Sequence, residues 1–184
     1  MKYTIDLSRI SEKEKGYVVG FYVGDGNIFV SKTNGIYRLR YFLWYKEIQT
    51  QRKLQKILRK LTLAPRLYRD KDNMVVIELH SKEFVSYILS VCNKNGLKKQ
   101  NSNDFLRGFI EGLIDSDGHV QRNYTEITTS SSKLKNNIVE VLNKIGISSN
   151  IRNYHSSISN KEGWRVGFSL NGLKLKPEKW VPTP

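Results

Sequence analysis

The chain is short of the residues that would assign it to several other classes. It has 1 cysteine in 184 residues, so neither an internal disulfide nor a Cys-rich zinc site is available. That residue, Cys92, follows the apolar stretch Phe84-Val85-Ser86-Tyr87-Ile88-Leu89 and is expected to be a buried core thiol. Three of the 4 prolines, Pro177, Pro182 and Pro184, lie beyond Lys174, so no full closing helix is expected there. No apolar run approaches the ~18 residues that a membrane-spanning helix needs. Residues Met1 to Ile10 lack the apolar core of a secretory signal. A soluble, intracellular protein without a membrane partner is therefore expected. Acidic residues are scarce too, 17 Asp and Glu against 31 Lys and Arg, for a formal charge of +14.

What is present is enough to fold and to attract a polyanion. Hydrophobic residues make up 39% of the chain and aromatic ones 11%. A chain of this size buries roughly two-thirds of its unfolded surface, so intrinsic disorder is excluded. Residues 1–100 hold 20 Lys and Arg against 9 Asp and Glu, and residues 101–184 hold 11 against 8. Solubility needs only a modest net charge of either sign, whereas an excess this large builds a field that draws in nucleic acid. The positive residues fall mainly in strand-like segments with aromatics between them, which disfavours a basic membrane-surface helix.

An internal repeat organises the sequence. Gly16, Gly20, Gly24, Asp25 and Gly26 recur as Gly108, Gly112, Ser116, Asp117 and Gly118, every one displaced by 92 positions. Each segment reads as a helix with small residues at i, i+4 and i+8, a stripe along one face. Glycine inside a helix costs about 1 kcal/mol relative to alanine, and close packing of the two helices on each other offsets that cost. Each helix ends in a carboxylate followed by glycine, a pair that suits a left-handed cap. Asp25 and Asp117 are then expected to project together from the foot of the helix pair. Adjacent carboxylates repel, and divalent cations remove the penalty. Hard oxygen ligands suit Mg²⁺, with water, main-chain carbonyls and a substrate phosphate completing the shell, as in two-metal phosphodiester chemistry. A calcium loop starting at Asp115 is disfavoured, because Val120 stands where its sharp turn needs glycine.

Hydrophobic periodicity predicts, after the first helix, strands over 27–31 and 36–46 around the turn Lys32-Thr33-Asn34-Gly35 and a helix over 49–61. A hairpin over 66–70 and 74–80 and a helix over 82–91 complete that half. The second half predicts strands over 119–122 and 124–130, a serine-capped helix over 132–145, and a hairpin over 149–155 and 164–170. The fold class is thus α+β, two pseudo-symmetric repeats (1–100 and 101–184) packed through paired helices. Strand alternation puts Arg38, Arg40, Phe42, Trp44 and Lys46 on one face and Tyr37, Leu39, Tyr41, Leu43 and Tyr45 on the other. Val75, Ile77 and Leu79 face the core, leaving Val76, Glu78 and His80 beside the arginines. Lys32, Arg66, Tyr68 and Arg69 extend this candidate nucleic-acid surface. The second repeat contributes Gln121, Arg122, Tyr124, Glu126, Thr128, Ser130, Arg152, Tyr154, Arg165 and Ser169. Arg suits guanine, Glu cytosine, and Ser or Thr either base, and the same types clamp phosphates.

The nine-residue copies Val18-Val-Gly20-Phe-Tyr-Val-Gly24-Asp25-Gly26 and Ile110-Glu-Gly112-Leu-Ile-Asp-Ser116-Asp117-Gly118, with this strand order, resemble the LAGLIDADG homing endonucleases in their single-chain, two-motif form. The second copy is nearer to the family name than the first. The resemblance implies two αββαββ halves whose saddle-shaped antiparallel sheets straddle double-stranded DNA. It implies metal binding by Asp25 and Asp117, assisted by the carbonyls of Gly24 and Ser116. It also implies cutting of both strands across the minor groove to leave 3′ extensions, with Ca²⁺ supporting binding without cleavage. The family often carries Lys or Gln at the end of the second strand, a place Lys46 fits; the corresponding place in the second copy holds Ser130, with Thr129 beside it. The reading is an Mg²⁺-dependent, monomeric, site-specific endonuclease with an asymmetric target. The alternatives on the same scaffold are an intron RNA-binding maturase and a catalytically silent DNA-binding protein. An intein is disfavoured, since the chain opens on Met1-Lys2-Tyr3 without a nucleophilic Cys or Ser.

Overall fold

A computed structural model describes residues 5–61, 63–70, 72–99, 101–156 and 161–171. The element order is α1 (Glu12–Asp25), β1 (Gly26–Ser31), β2 (Ile36–Trp44), α2 (Ile48–Lys60), β3 (Arg66–Arg69), β4 (Met74–His80) and α3 (Lys82–Val91). A two-residue-per-strand hairpin, β5 (Cys92–Asn93) and β6 (Gly96–Leu97), leads to α4 (Asn103–Asp117). Then come β7 (Gly118–Gln121), β8 (Tyr124–Thr129), α5 (Ser132–Lys144), β9 (Ser149–Ser156) and β10 (Lys161–Ser169). The two main sheets are antiparallel and share one order, β1-β2-β4-β3 and β7-β8-β10-β9. None of the helices described is long and apolar enough to cross a membrane.

Serine side chains start four of the helices. The hydroxyls of Ser11, Ser81, Ser102 and Ser131 each accept a backbone N–H three residues on, and Ser11 closes a reciprocal box with Glu14. Between α1 and α4 the glycine stripes interlock. A Cβ on Gly16 would fall on the Phe105 carbonyl, and one on Gly20 on that of Phe109. In the reverse direction Gly108 meets the Lys13 carbonyl and Gly112 that of Tyr17. Each of these contacts maps onto its mate by the same displacement of 92, so the helix pair obeys a local pseudo-twofold. Tyr17, Val18, Val19, Phe21, Phe109, Ile110, Leu113 and Ile114 pack around it with no more than 2% of their surface exposed.

The twofold is broken along one seam. Tyr17 Oη donates to the fully buried Asp115 carboxylate at 2.9 Å. Lys53 from α2 bonds Glu111, lies 3.5 Å from Asp115 and sits 4.1 Å over the Tyr17 ring, while Lys13 pairs with Glu111 at 2.9 Å. The positions related to Tyr17, Glu111 and Asp115 are Phe109, Val19 and Val23, all apolar.

Four expectations need correction. Gly26 and Gly118 are not left-handed caps; their φ angles are −102° and −77°. Glycine is required there because the chain passes tightly over the preceding turn, where a Cβ would meet Tyr22 Cα at 2.5 Å or the Ile114 carbonyl at 2.6 Å. The second strand stops at Trp44, because Glu47 and Gln51 side chains take the backbone N–H of Trp44 and the carbonyls of Trp44 and Tyr45, which leaves Lys46 in a turn. Val76 and Glu78 share the face of Arg38 and Arg40 as register requires, yet both are buried. Cross-strand Tyr68 and Arg66 from β3 flank them, and Arg40 lies over Glu78. Finally, β10 begins at Lys161, three residues before the predicted start. Cys92 is the buried thiol expected, pushed by burial to a pKa of about 12. The C-terminal proline-rich stretch lies outside the described residues.

Candidate active site and nucleic-acid interface

Asp25 and Asp117 are the last residues of α1 and α4. The helices interlock to their ends, where Gly24 packs against Ser116, so the two helix ends that bear these carboxylates lie together. Asp117 Oδ2 lies 3.1 Å from where a Cβ on Gly24 would stand, so it rests against the residue adjoining Asp25. Asp25 is half-buried and Asp117 exposed. Ser116 is buried and turns its hydroxyl back to the carbonyls of Gly112 and Leu113, at 3.0 and 3.1 Å. Among the described residues no group of three or more His, Cys, Asp or Glu side chains could hold a metal by itself. A pair of carboxylates with adjacent main-chain oxygens fits a hard divalent ion that draws its remaining ligands from water and phosphate. The residues present thus fit such a cation.

Sequence reasoning missed the most closely bound side chain at this place. Lys94, at the turn between β5 and β6, directs its ammonium to four carbonyl oxygens at the end of α1. They are Tyr22, Val23 and Gly24 at 2.8 Å and Gly26 at 2.9 Å. Burial lowers the pKa of the Lys94 ammonium, against the opposing pull of Asp117 and Asp25. No sequence signal marks it, since it reaches the site only through tertiary packing. Lys46 lies in the turn that follows β2, five residues past the Gly26–Tyr41 pair, with its ammonium 5.6 Å over the neighbouring Tyr45 ring. On the second repeat, Thr129 Oγ1 accepts from the Ser131 N–H, and Ser130 is exposed in the bend that follows β8.

The sheet faces assemble as strand alternation demands. In the first sheet Arg38 pairs with His80 and Phe29, Arg40 with Glu78 and Asn27, Trp44 with Met74, and Arg66 and Tyr68 lie opposite Glu78 and Val76. Asn27 and Phe29 therefore belong to this face; parity counted through β1 would have found them. Arg69 does not: it pairs with Val75 on the reverse face and stacks 5.0 Å over Tyr45. Lys32 is exposed in the β1–β2 turn. Glu78 is a hub. It accepts from Arg40 Nε at 2.7 Å and Tyr68 Oη at 3.3 Å, and His80 Nε2 is 3.1 Å away. Burial alone would raise its pKa, but hydrogen bonds from Arg40 and His80 and their charges hold it at about 2. Arg38 is held differently, its guanidinium 5.1 Å over Phe29 and its buried Nε without a hydrogen-bond partner.

In the second sheet Gln121, Tyr124, Glu126, Thr128, Arg152, Tyr154, Arg165 and Ser169 share a face, which His119 and Asn150 also join. Tyr124 lies across Gly167, where any Cβ would strike its hydroxyl. Arg165 stacks 5.1 Å from Tyr154 and lies 3.9 Å from Glu126. Arg122 occupies the β7–β8 turn with φ of 54°.

Comparison with known proteins agrees with this layout. Residues 104–170 match the model of the LAGLIDADG-like domain. The chain is similar to the uncharacterised protein MJ0398 of Methanocaldococcus jannaschii, 30% identical over 202 residues, covering 95% of this chain and 73% of that one. It is 25% identical over 189 residues to the replication factor C small subunit of the same organism, where the match spans 86% of this chain but only 10% of that protein. The fold is similar to that of I-DmoI in complex with DNA and Ca, with a TM-score of 0.68, 17% identity, and 88% and 85% of the two chains covered. It is also similar to full-length DUF199/WhiA from Thermatoga maritima, with a TM-score of 0.62, 13% identity, and 96% and 59% covered. Two glycine-striped helices in one polypeptide, each leading from its terminal aspartate into an antiparallel sheet, together with a relative matched along nearly the whole sequence, show that the chain belongs to the LAGLIDADG family.

Proposed function

We propose that this protein is a site-specific DNA endonuclease that cuts both strands of an asymmetric target with the help of divalent cations, Mg²⁺ first among them. The observation that supports the reading is the close approach of the two helix ends that bear Asp25 and Asp117, each leading into a sheet with a polar and basic face. A protein that only gripped DNA would gain nothing from a carboxylate at each of these paired helix ends, since both repel phosphate. When bound, divalent cations supply the positive charge that activates an attacking water and stabilises the leaving oxygen.

The chain's own residues do the rest. Asp25 and Asp117, with the adjacent carbonyls of Gly24 and Ser116, hold the cations. Arg38, Arg66, Arg152 and Arg165 project from the sheet faces to bases and phosphates, and Lys32, Arg122 and Lys46 offer charge to the backbone from turns. Arg40 has its Nε committed to Glu78, so it serves chiefly to fix that hub. A DNA partner is supported by I-DmoI having been solved with DNA in the presence of Ca, Mn or Mg.

The test is selection of cleavable sites from a randomised duplex library in Mg²⁺, with Ca²⁺ as a binding-only condition. The expected result is a linear product with one cut per strand at a non-palindromic site, carried out by a monomer. Binding without any product in either metal would leave a DNA-binding module, and a shift confined to intron RNA would favour the maturase reading.

A further inference from the structure

We propose that Lys94 is a positioning residue, a built-in monovalent cation that fixes the end of α1 beneath Asp25 and competes with a divalent ion for the Gly24 oxygen. The inference rests on the endonuclease reading for its effect on cutting, but not for its effect on cation affinity.

The last carbonyls of a helix have no partner within it and carry the negative end of its dipole. An ammonium has three donors, and here four oxygens at 2.8–2.9 Å share them, so the ammonium sits in a cage instead of making one fixed bond. Gly24 lets α4 approach on the other side, where a Cβ would strike the side chain of Ser116, whose own hydroxyl bonds back into its helix.

The connector that delivers Lys94 is anchored to the other repeat. Asn137 of α5 bonds both backbone groups of Leu97, at 2.9 and 3.3 Å. Gly96, with φ of 109°, leaves no room for a Cβ against Asn137, and the Ser131 hydroxyl donates to Asn95 at 2.9 Å. Lys94 thus stands on a strap fixed to the second repeat while all four oxygens it binds belong to the first. Its charge eases the repulsion between Asp25 and Asp117, so removing it sharpens their demand for a divalent ion while loosening the helix end that aims them.

The test compares the parent protein with Lys94→Met in two measurements. The first is Ca²⁺ binding by calorimetry without DNA, where the variant is expected to bind three- to tenfold more tightly. The second is single-turnover nicking of a selected target in Mg²⁺, resolved by strand. There at least one strand is expected to be cut tenfold more slowly, with the ratio of the two strand rates changed at least fivefold. A merely structural role would weaken cation binding and slow both strands together, and that pattern overturns the proposal, as does an unchanged Ca²⁺ affinity.

If Lys94→Met does not fold, Lys94→Cys alkylated with bromoethylamine restores an ammonium at the end of a chain of lysine's length. Cys92 is buried with its thiol pushed up to about 12, so parent protein treated identically serves as control. Aminoethylation should return both readouts to within twofold of the parent, and failure to do so refutes the proposal. If the parent itself cuts nothing, the endonuclease reading falls, while the Ca²⁺ comparison still decides whether Lys94 competes for the site.

Discussion

At the scale of single residues, the proposed function gives Asp25 and Asp117 the same work from opposite helices, so that neither replaces the other. Asp25→Asn or Asp117→Asn should lower double-strand cutting by ~10²-fold or more while DNA affinity in a gel shift stays within about threefold, because neither carboxylate grips DNA. A variant that linearises target at the parental rate would remove that residue from the cation site. Arg38 and Arg40 are neighbours in type but not in freedom. Arg38→Ala is expected to relax base preference at one position of the selected site by about 1–3 kcal/mol. Loss of the Glu78 network acts on stability instead. Since the Glu78 carboxyl is held at about 2 in the fold and titrates near 4.5 when free, its contribution is complete above pH 4.5 and lost as pH falls toward 2. After allowance for the solvent reaching Arg40 and His80, Glu78→Gln should cost about 1–2 kcal/mol at neutral pH. The difference from the parent should disappear in chemical denaturation near pH 2.

Elements were largely legible in advance, and the reasons differ from one to the next. The paired helices could be read because glycine at one spacing, twice, has few physical explanations, and the contacts of Gly16, Gly20, Gly108 and Gly112 with facing backbone confirm the one chosen. Gly20→Ala should therefore destabilise by about 1–3 kcal/mol despite alanine's better helix propensity, because the facing Phe109 carbonyl cannot retreat. Gly35, whose Cβ would meet nothing, should cost only about 1 kcal/mol on the same change, through its φ of 64°. Thermal unfolding of the two variants checks the ranking. Strand faces were legible from alternation through Arg38, Arg40, Arg152 and Arg165. The burial of Val76 and Glu78 was not, because side chains from neighbouring strands cover them and alternation within one strand says nothing of its neighbours. Gly26 and Gly118 suit a left-handed cap by sequence but do not form one, because aspartate then glycine suits a left-handed cap and a tight passage over the previous turn equally well. Lys94 was beyond reach, since its partners lie about seventy residues earlier and only the folded connector brings it to them.

Across the whole molecule the excess of positive charge is unevenly spread, 20 Lys and Arg against 9 Asp and Glu in residues 1–100 and 11 against 8 thereafter. Affinity for DNA is expected to fall by about 10³–10⁵ between roughly 50 and 200 mM salt, if 6–10 phosphates are contacted. A flat response in fluorescence anisotropy would point to a different partner. The same imbalance favours a target with unlike halves, which the library selection reads directly.

The ionic seam decides which repeats can pair. Were the C-terminal repeat to associate with a second copy of itself, Asp115 would face a phenyl ring, Phe109, twice over, with neither Tyr17 nor Lys53 to receive it. Removing these two partners from a fully buried carboxylate costs about 3–5 kcal/mol, which disfavours such a twin. The repeats are unlike partners at this seam: pairing the second with itself takes Tyr17 away from Asp115, and pairing the first with itself sets the Tyr17 hydroxyl against Val23.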